Sequence, residues 1–595
     1  MKPYKTALPE DTIFNIRKIL HFLGVEVTEQ HFRKEELYYS CRITIDNNNI
    51  RFLDIGTNGK GMSSIYSLAS AYGELMERMQ NKMFTVATKY ATTDFRKNLP
   101  ENHIVNIPVL DFLFFPDERL EDVPVEKIQQ HFRELLPNSE INTADHFKEC
   151  NSYNIHYADF YNTYSKEVES LPYTLLRFAA SSTGLCAGNS PEEAILQGLN
   201  EIFERYVLQQ IYLRRCTPPT IPLTIFNDTE IGNRLHRLKA ETKWKIEVKD
   251  CSLGEGFPVL GLLLIDVTNN RYSFRLGADV SPEIALQRCF TEAFQGSNVN
   301  NKYLRPIVLD DDWNLQDEHN RSVIDGCGQF PKEIFSNVPS WEFNGFYLSR
   351  KESHAEELKS VCRWLKSKNY TLFVRDNSFL GFPAYHLYIP GLSDVNSSLY
   401  DIKAEVERYN TNCHIVKNEY RIPSLKQDEI LSFIAKYEKS VEKNIKLFPY
   451  NVIAYNSFNR LLLLALLSYK VGNDNDAYKF MKSFLCQKEA EGVKQSPYYY
   501  CIRDLFYAKS SSCYENSIAI LENIYSKTLV QEVISDMNDR ENVLTNLPLS
   551  NCFNCNKCKI KNTCRYKNVI DIEKRIQLEQ TKHLNTQCEL KKIFE

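Results

Sequence analysis

The chain has 595 residues, 43% apolar and 12% aromatic, enough for a large core and for several domains at roughly 150 residues each. Its 72 basic and 76 acidic side chains leave a net charge of −4, which argues against a general nucleic-acid binder. No apolar run reaches the ~18 residues of a membrane span, and Met1-Lys2-Pro3-Tyr4-Lys5 lacks the apolar centre of a signal peptide. A cytoplasmic protein is expected, with its 17 cysteines as thiols or metal ligands rather than disulfides.

Residues 10–24 read as an amphipathic helix: Glu10, Asp11 and Thr12 open it, Ile13, Ile16, Ile19, Leu20 and Leu23 form its apolar side, and Gly24 stops it. Residues 38–45 and 50–55 alternate like a hairpin around Asp46-Asn47-Asn48-Asn49. Gly56-Thr57-Asn58-Gly59-Lys60-Gly61 is not a P-loop, since Asp54 and Gly61 stand where that motif needs Gly and Ser or Thr. It reads either as a Gly-rich turn or as a loop bringing N–H groups to a helix N-terminus, where phosphate binds.

The first acidic helix follows as Ser70-Ala71-Tyr72-Gly73-Glu74-Leu75-Met76-Glu77-Arg78. Residues 95–170, punctuated by Pro108, Pro116, Pro124 and Pro137, read as an insertion of short elements without recognisable chemistry. Ser190, Pro191 and Glu193 have the spacing of a capping box and open a second acidic helix running to about Tyr212. Residues 246–248, 259–267 and 272–276 read as strands of one sheet, with Asn269-Asn270 as the last turn. Ser281 and Pro282 begin the third acidic helix, Arg288-Cys289-Phe290-Thr291-Glu292-Ala293-Phe294-Gln295, and residues 370–375 and 384–389 read as further strands.

Residues three, four, seven, eight or eleven apart share a helix face. Ser70, Glu74 and Glu77 share one; so do Glu193, Gln197, Glu201 and Glu204; so do Arg288, Glu292 and Gln295. Like charges at these spacings destabilise a helix, and partly buried carboxylates need a cation or donors. Three such helices facing one cleft would bind hard divalent cations such as magnesium, which usually also contacts substrate phosphates. Arg288 is a natural phosphate counter-charge.

After about residue 396 the strand signals fade. Residues 456–486 read as two helices around Gly472-Asn473-Asp474-Asn475-Asp476, either a tetratricopeptide-like pair or a plain helical subdomain. Cys552, Cys555, Cys558 and Cys564 are spaced Cys-x-x-Cys-x-x-Cys-x5-Cys, which fits zinc or a [4Fe-4S] cluster, and residues 570–595 read as a charged helix. The expected class is α+β: a mixed sheet flanked by helices over residues 1–395, a helical region over 396–545, and a Cys-rich metal knuckle with the charged helix over 546–595.

On its three acidic motifs the sequence resembles the YcaO family. The family's ATP motifs are Ser-x-x-x-Glu-x-x-Glu-Arg, a Glu-rich helix ending Glu-x-x-Glu-Arg, and Arg-x-x-x-Glu-x-x-Gln. All three occur here in the family's order. Thr57-Asn58-Gly59-Lys60-Gly61, Ala187-Gly188-Asn189 and Pro390-Gly391-Leu392-Ser393-Asp394 match the surroundings. The likeness covers roughly residues 1–395 and is greatest to the stand-alone type of the family. The Cys cluster is not a general family feature.

The resemblance implies ATP and Mg2+ as cofactors. Lys5 and Thr12, with Thr where the family has Ser, and Asn189 would reach the nucleotide. Glu74, Glu77, Glu193, Glu201, Glu204 and Glu292 would hold magnesium; Arg78, Arg205 and Arg288 would balance phosphates or orient the carboxylates; Ser70, Asn189, Gln197 and Gln295 would complete the shell. Catalysis would rest on Glu201, Glu204, Arg205 and Arg288. The implied reaction activates a peptide backbone amide. A nucleophile adds to the carbonyl, the oxyanion takes the γ-phosphoryl group, and loss of phosphate leaves an azoline, thioamide or amidine in a ribosomally made peptide.

Two alternatives stand beside it: an accessory factor for methylthiolation of a small-subunit ribosomal protein, and an ATP-sensing adaptor without turnover. Azoline-forming members commonly end in a Pro-rich tail, and this sequence ends Lys591-Lys592-Ile593-Phe594-Glu595, which favours a stand-alone or non-azoline type. The expected partners are a peptide or protein substrate, a leader-binding, sulfur-delivery or methylthiotransferase protein, and a second copy in a homodimer. Neither membrane nor nucleic acid is expected.

Overall fold

The computed structural model describes residues 5–34, 38–47, 56–82, 117–139, 152–294, 304–310, 312–324, 326, 328–396, 426–442, 460–490, 495–511, 514–541, 543, 567–583, 587 and 590–594. The hairpin arm at 50–55, Gln295 and the four clustered cysteines lie outside the described residues.

The first helix, α1 (Pro9–Phe22), has Pro9 in its first turn with Glu10 and Asp11, and buries Ile13, Ile16 and Leu20 along one stripe. Three strands follow, β1 (Val27–Lys34), β2 (Tyr38–Ile45) and β3 (Gly56–Gly61), paired antiparallel in the order β1-β2-β3. The Gly-rich run at 56–61 is therefore an edge strand registered on β2, not a phosphate loop.

Its glycines serve close packing against the next helix, α2 (Ser64–Gln80). A Cβ on Gly59 would overlap the Ser67 carbonyl oxygen and the Ala71 amide. Thr57, on the same strand face, donates to the Ala71 carbonyl at 2.8 Å. Residues of low strand propensity are held as a strand because a helix lies directly on them.

The 95–170 stretch is more than an insertion. Within it β4 (Arg119–Pro124) and β5 (Ser152–Asn162) pair, and β6 (Glu167–Leu171) pairs with β5. Together with β7 (Leu185–Ala187) and two later strands they form a six-stranded sheet.

The second acidic helix is α3 (Pro191–Arg214). Ser190 caps it by accepting from the Glu193 amide at 3.3 Å. It is buried on nearly all sides, which suits a helix between two sheets.

The second sheet runs β12-β11-β10-β9-β8, from β8 (Thr220–Ile221), β9 (Lys245–Asp250), β10 (Val259–Asp266), β11 (Arg271–Ala278) and β12 (Arg305–Pro306). In β10 the alternation separates two cores. Leu260, Leu262 and Leu264 face one core; Val259 and Leu263 join α3 in the other. The third acidic helix, α4 (Pro282–Glu292), packs its Ala285, Leu286, Cys289 and Phe290 in the Leu260 core. It comes so close that a Cβ on Gly277 would stand 2.5 Å from the Ala285 carbonyl oxygen.

The six-stranded sheet is completed by β13 (Phe373–Asp376) and β14 (Ala384–Tyr388), in the order β4-β5-β13-β14-β7. The expected α+β class is observed. The single mixed sheet is not: the strands form three sheets, and every pairing among the described residues is antiparallel.

Beyond residue 426 the described chain is helical, with its own apolar core formed by the helices Gln427–Glu442, Arg460–Lys470, Asp474–Ala490, Pro497–Ser510, Tyr514–Ile524 and Lys527–Asn538. The two helices expected around residues 472–476 are present. The last long helix, α5 (Lys567–Lys582), returns to the first core. Ile572 and Ile576 are buried in the core that also holds α1 and α2, and Arg575 donates to the Leu23 carbonyl at 2.6 Å. Gln587 exchanges two hydrogen bonds with the Asp376 backbone, at 2.7 and 3.0 Å, and Phe594 stacks on Tyr161 at 5.8 Å.

Candidate functional site

Helices α2, α3 and α4 turn their acidic faces toward one another. On α2 the apolar residues Leu68, Ala71, Leu75, Met76 and Met79 are buried, which leaves Ser70, Glu74, Glu77 and Arg78 half-buried on the remaining face. Arg78 stands 3.4 Å from Glu74 and 3.8 Å from Glu77. On α3, Arg205 stands 4.0 Å from Glu201 and also approaches the Val323 carbonyl at 3.5 Å.

These groups interact across helices. Burial pushes the Glu77 carboxyl well above its usual range; Arg78 opposes this, and Glu201 and Glu74 add to it. Burial likewise raises Glu201, against Arg205 and Arg78, with Glu204 pushing it further up. The carboxylates repel one another, as expected of groups gathered for a cation.

On α4, Arg288 donates to the Gln197 side chain of α3 at 2.6 Å and stands 3.6 Å from Asp279. Asp279, just before α4, also accepts from the Ser281 amide at 2.9 Å and from Asn200 at 3.5 Å. Glu292 is paired with Lys60 of β3. Partial burial lowers the Lys60 ammonium to about 8, with Glu204 pulling it up and Arg288 pushing it down.

The N-terminal residues close the other side. The Thr12 hydroxyl lies 2.7 Å from the Asn189 side-chain oxygen. Glu193 accepts from the Thr6 amide and hydroxyl, both at 2.7 Å, from the Asn189 side chain at 3.1 Å, and pairs with Lys5 at 3.3 Å. Burial opposes the charge on Glu193, but Lys5, Thr6 and Asn189 prevail and hold its pKa at about 2. Lys5 also reaches the Asp279 field, which joins the two sides.

Of the residues expected from the sequence, Glu74, Glu77, Arg78, Gln197, Glu201, Glu204, Arg205, Arg288 and Glu292 interact among or across the three acidic helices; Lys5, Thr12, Asn189 and Glu193 gather at the start of α3; Ser70 is half-buried on α2; and Gln295 lies outside the described residues. Among the described residues no three His, Cys, Asp or Glu side chains stand close enough to hold a metal ion as arranged. Glu74, Glu77, Glu193, Glu201 and Glu292 are each turned onto a Lys or Arg instead. Glu193, expected as a metal ligand, anchors the N-terminal segment.

Sequence reasoning passed over Lys60, Thr6 and Asp279 as side chains. Lys60 was hidden because residues 56–61 read as a turn or loop; only once they form a strand does residue 60 face opposite to Gly59. Among the described residues no helix is long and apolar enough to cross a membrane.

Comparison with known proteins supplies the family. The family model described as "YcaO cyclodehydratase", ATP- and Mg2+-binding, matches residues 58–393. An uncharacterized protein of Haemophilus influenzae (strain ATCC 51907 / DSM 11121 / KW20 / Rd) is 26% identical over 350 residues, 57% of each chain. The ribosomal protein S12 methylthiotransferase accessory factor YcaO of Escherichia coli (strain K12) is 26% identical over 404 residues, 66% of each chain. The matched part spans less than two thirds of either relative's length.

Among solved structures, a heterocyclase in complex with substrate and cofactor aligns with TM-score 0.44 at 16% identity, covering 65% of this chain and 52% of that one. YcaO from Methanopyrus kandleri bound with AMPPCP and Mg2+ aligns with TM-score 0.42 at 17% identity, covering 65% and 92%. With the match at 58–393 taking in more than half of its residues and all three acidic helices, this chain belongs to the YcaO family.

Proposed function

We propose that the chain is an ATP- and Mg2+-dependent enzyme that activates a backbone amide of a peptide or protein by O-phosphorylation. The observation that carries this reading is the convergence of Glu74, Glu77, Glu201, Glu204 and Glu292 from three helices, interleaved with Arg78, Arg205 and Arg288.

The donor set fits the group. Carboxylate oxygens suit a hard divalent cation, and guanidinium forks suit phosphate. The crowding that raises Glu77 and Glu201 is relieved by a divalent cation. ATP with Mg2+, when bound, supplies the phosphoryl group that captures the oxygen of the attacked amide. The carboxylates of α2, α3 and α4 would hold the metal. Arg205 and Arg288 would neutralise charge developing on phosphate, which is most of what phosphoryl transfer asks of a protein. Gln197 and Asp279 hold Arg288 in place. Lys5, Thr12 and Asn189 would meet the nucleotide from the N-terminal side, with Glu193 as their anchor.

The product on this reading is an azoline, thioamide or amidine, with the nucleophile coming from the substrate or from a donor. The test is ATP hydrolysis with and without Glu201→Ala and Glu204→Ala, each expected to lose most of the turnover. Nucleotide binding with equal background turnover in all three proteins would favour an ATP-sensing adaptor. The Escherichia coli relative's name favours a second reading, an accessory factor for methylthiolation of a ribosomal protein. Cys552, Cys555, Cys558 and Cys564, outside the described residues, carry a further proposal on spacing alone: zinc or an iron–sulfur cluster, tested by elemental analysis of protein purified without oxygen.

A further inference from the structure

The side chain of Lys60 has no part in the reading so far. On β3, Thr57 and Gly59 face α2, so Lys60 faces the opposite way. Its ammonium pairs with Glu292 of α4 and lies in the fields of Glu204, Arg288, Glu74 and Arg205. Both members of the pair are 32% exposed, and ion pairs of that exposure add little to a fold. Two nearby guanidinium groups make this a costly place for another cation unless an anion is near. Carboxylates provide that now. Once a divalent cation takes Glu292 and Glu204, Arg205 keeps Glu201 and Arg288 keeps Asp279, whereas Lys60 loses its resident carboxylate and needs another anion. A lysine beside metal-binding carboxylates is placed for the two phosphates that the metal bridges.

We propose that Lys60 is a phosphate-binding residue that exchanges partners: it neutralises Glu292 in the nucleotide-free chain and passes to the β- and γ-phosphates when the metal takes that carboxylate. This rests on the ATP reading above and adds a residue and an order of events to it.

The test is calorimetry on the full chain with a non-hydrolysable ATP analogue plus Mg2+, with AMP, and with Mg2+ alone. Lys60→Met should weaken the triphosphate by about tenfold or more and AMP by less than about twofold, the loss of one charge-assisted contact. The same variant should bind Mg2+ alone more tightly than wild type, because Glu292 has lost its resident cation. Lys60→Gln repeats the comparison with a polar side chain should the Met variant not fold. Lys60→Arg should keep triphosphate affinity within about threefold. Unchanged triphosphate affinity in Lys60→Met, or equal losses for AMP and triphosphate, overturns the proposal. A wild-type chain that binds no Mg2+-nucleotide overturns the ATP reading itself, whereas wild-type binding lost in Glu201→Gln but kept in Lys60→Met overturns the Lys60 role alone.

Discussion

Thr6 gives Glu193 two hydrogen bonds, one from its amide and one from its hydroxyl, both 2.7 Å and spanning 187 positions of the chain. With Lys5 at 3.3 Å they tie the N-terminal segment to the first turn of α3. A carboxylate usually titrating near 4.5 is thereby held at about 2. Its folded pKa lies below its unfolded one, so ionisation stabilises the fold. The benefit is complete above about 4.5 and is lost as pH falls toward about 2. Glu193→Gln should therefore lower stability at neutral pH by on the order of 3 kcal/mol. The gap from wild type should close in acid. Urea unfolding from neutral pH down through this window measures it.

Arg288 turns one guanidinium nitrogen toward both Gln197, at 2.6 Å, and Asp279, at 3.6 Å, and its planar fork has further donors to offer an oxyanion. Arg288→Lys keeps the charge and loses the fork. Affinity for a Mg2+-bound ATP analogue should fall about tenfold, the value of one charge-assisted hydrogen bond. Circular dichroism should be unchanged. Calorimetry gives the affinity.

Gly59→Ala places a methyl group on the Ser67 carbonyl and the Ala71 amide. Backbone must shift, at a cost of roughly 1–3 kcal/mol. Because α2 carries Glu74 and Glu77, nucleotide affinity should fall in the same variant. A thermal melt and a binding isotherm on one preparation check both.

The returning C-terminal segment is tested at Gln587, which both donates to and accepts from the Asp376 backbone. Gln587→Ala should cost about 1–3 kcal/mol, since it removes two hydrogen bonds from a largely buried site. Hydrogen exchange should quicken at β13 and α5 and stay unchanged in the helical region at 460–538.

Much of the site was legible in the sequence because it is carried by helices, whose neighbours lie three and four residues apart. Ser190, Pro191 and Ser281-Pro282 mark where α3 and α4 begin, and the acidic spacing shows which faces are alike. Sheet membership was harder to read. β5 pairs with β13 more than 200 positions away, and nothing local in residues 152–162 announces that partner. β3 was misread for a different reason: its glycines look like a loop until a helix is laid on them. The place of α5 was hidden too, because its charge pattern says only that one face is wet. The core that Ile572 and Ile576 enter is built mostly of residues far away in the numbering.

That core bears on how the molecule is made. The apolar stripe of α1 precedes α5 by more than 500 positions, yet Ile572 and Ile576 belong to the same buried core. On the ribosome α1 can meet α2 early, but the core they share is completed only once α5 has emerged, and apolar surface left open until then attracts chaperones. The amino-terminal half should thus reach its final form only after synthesis has passed α5, rather than folding as an independent unit during translation.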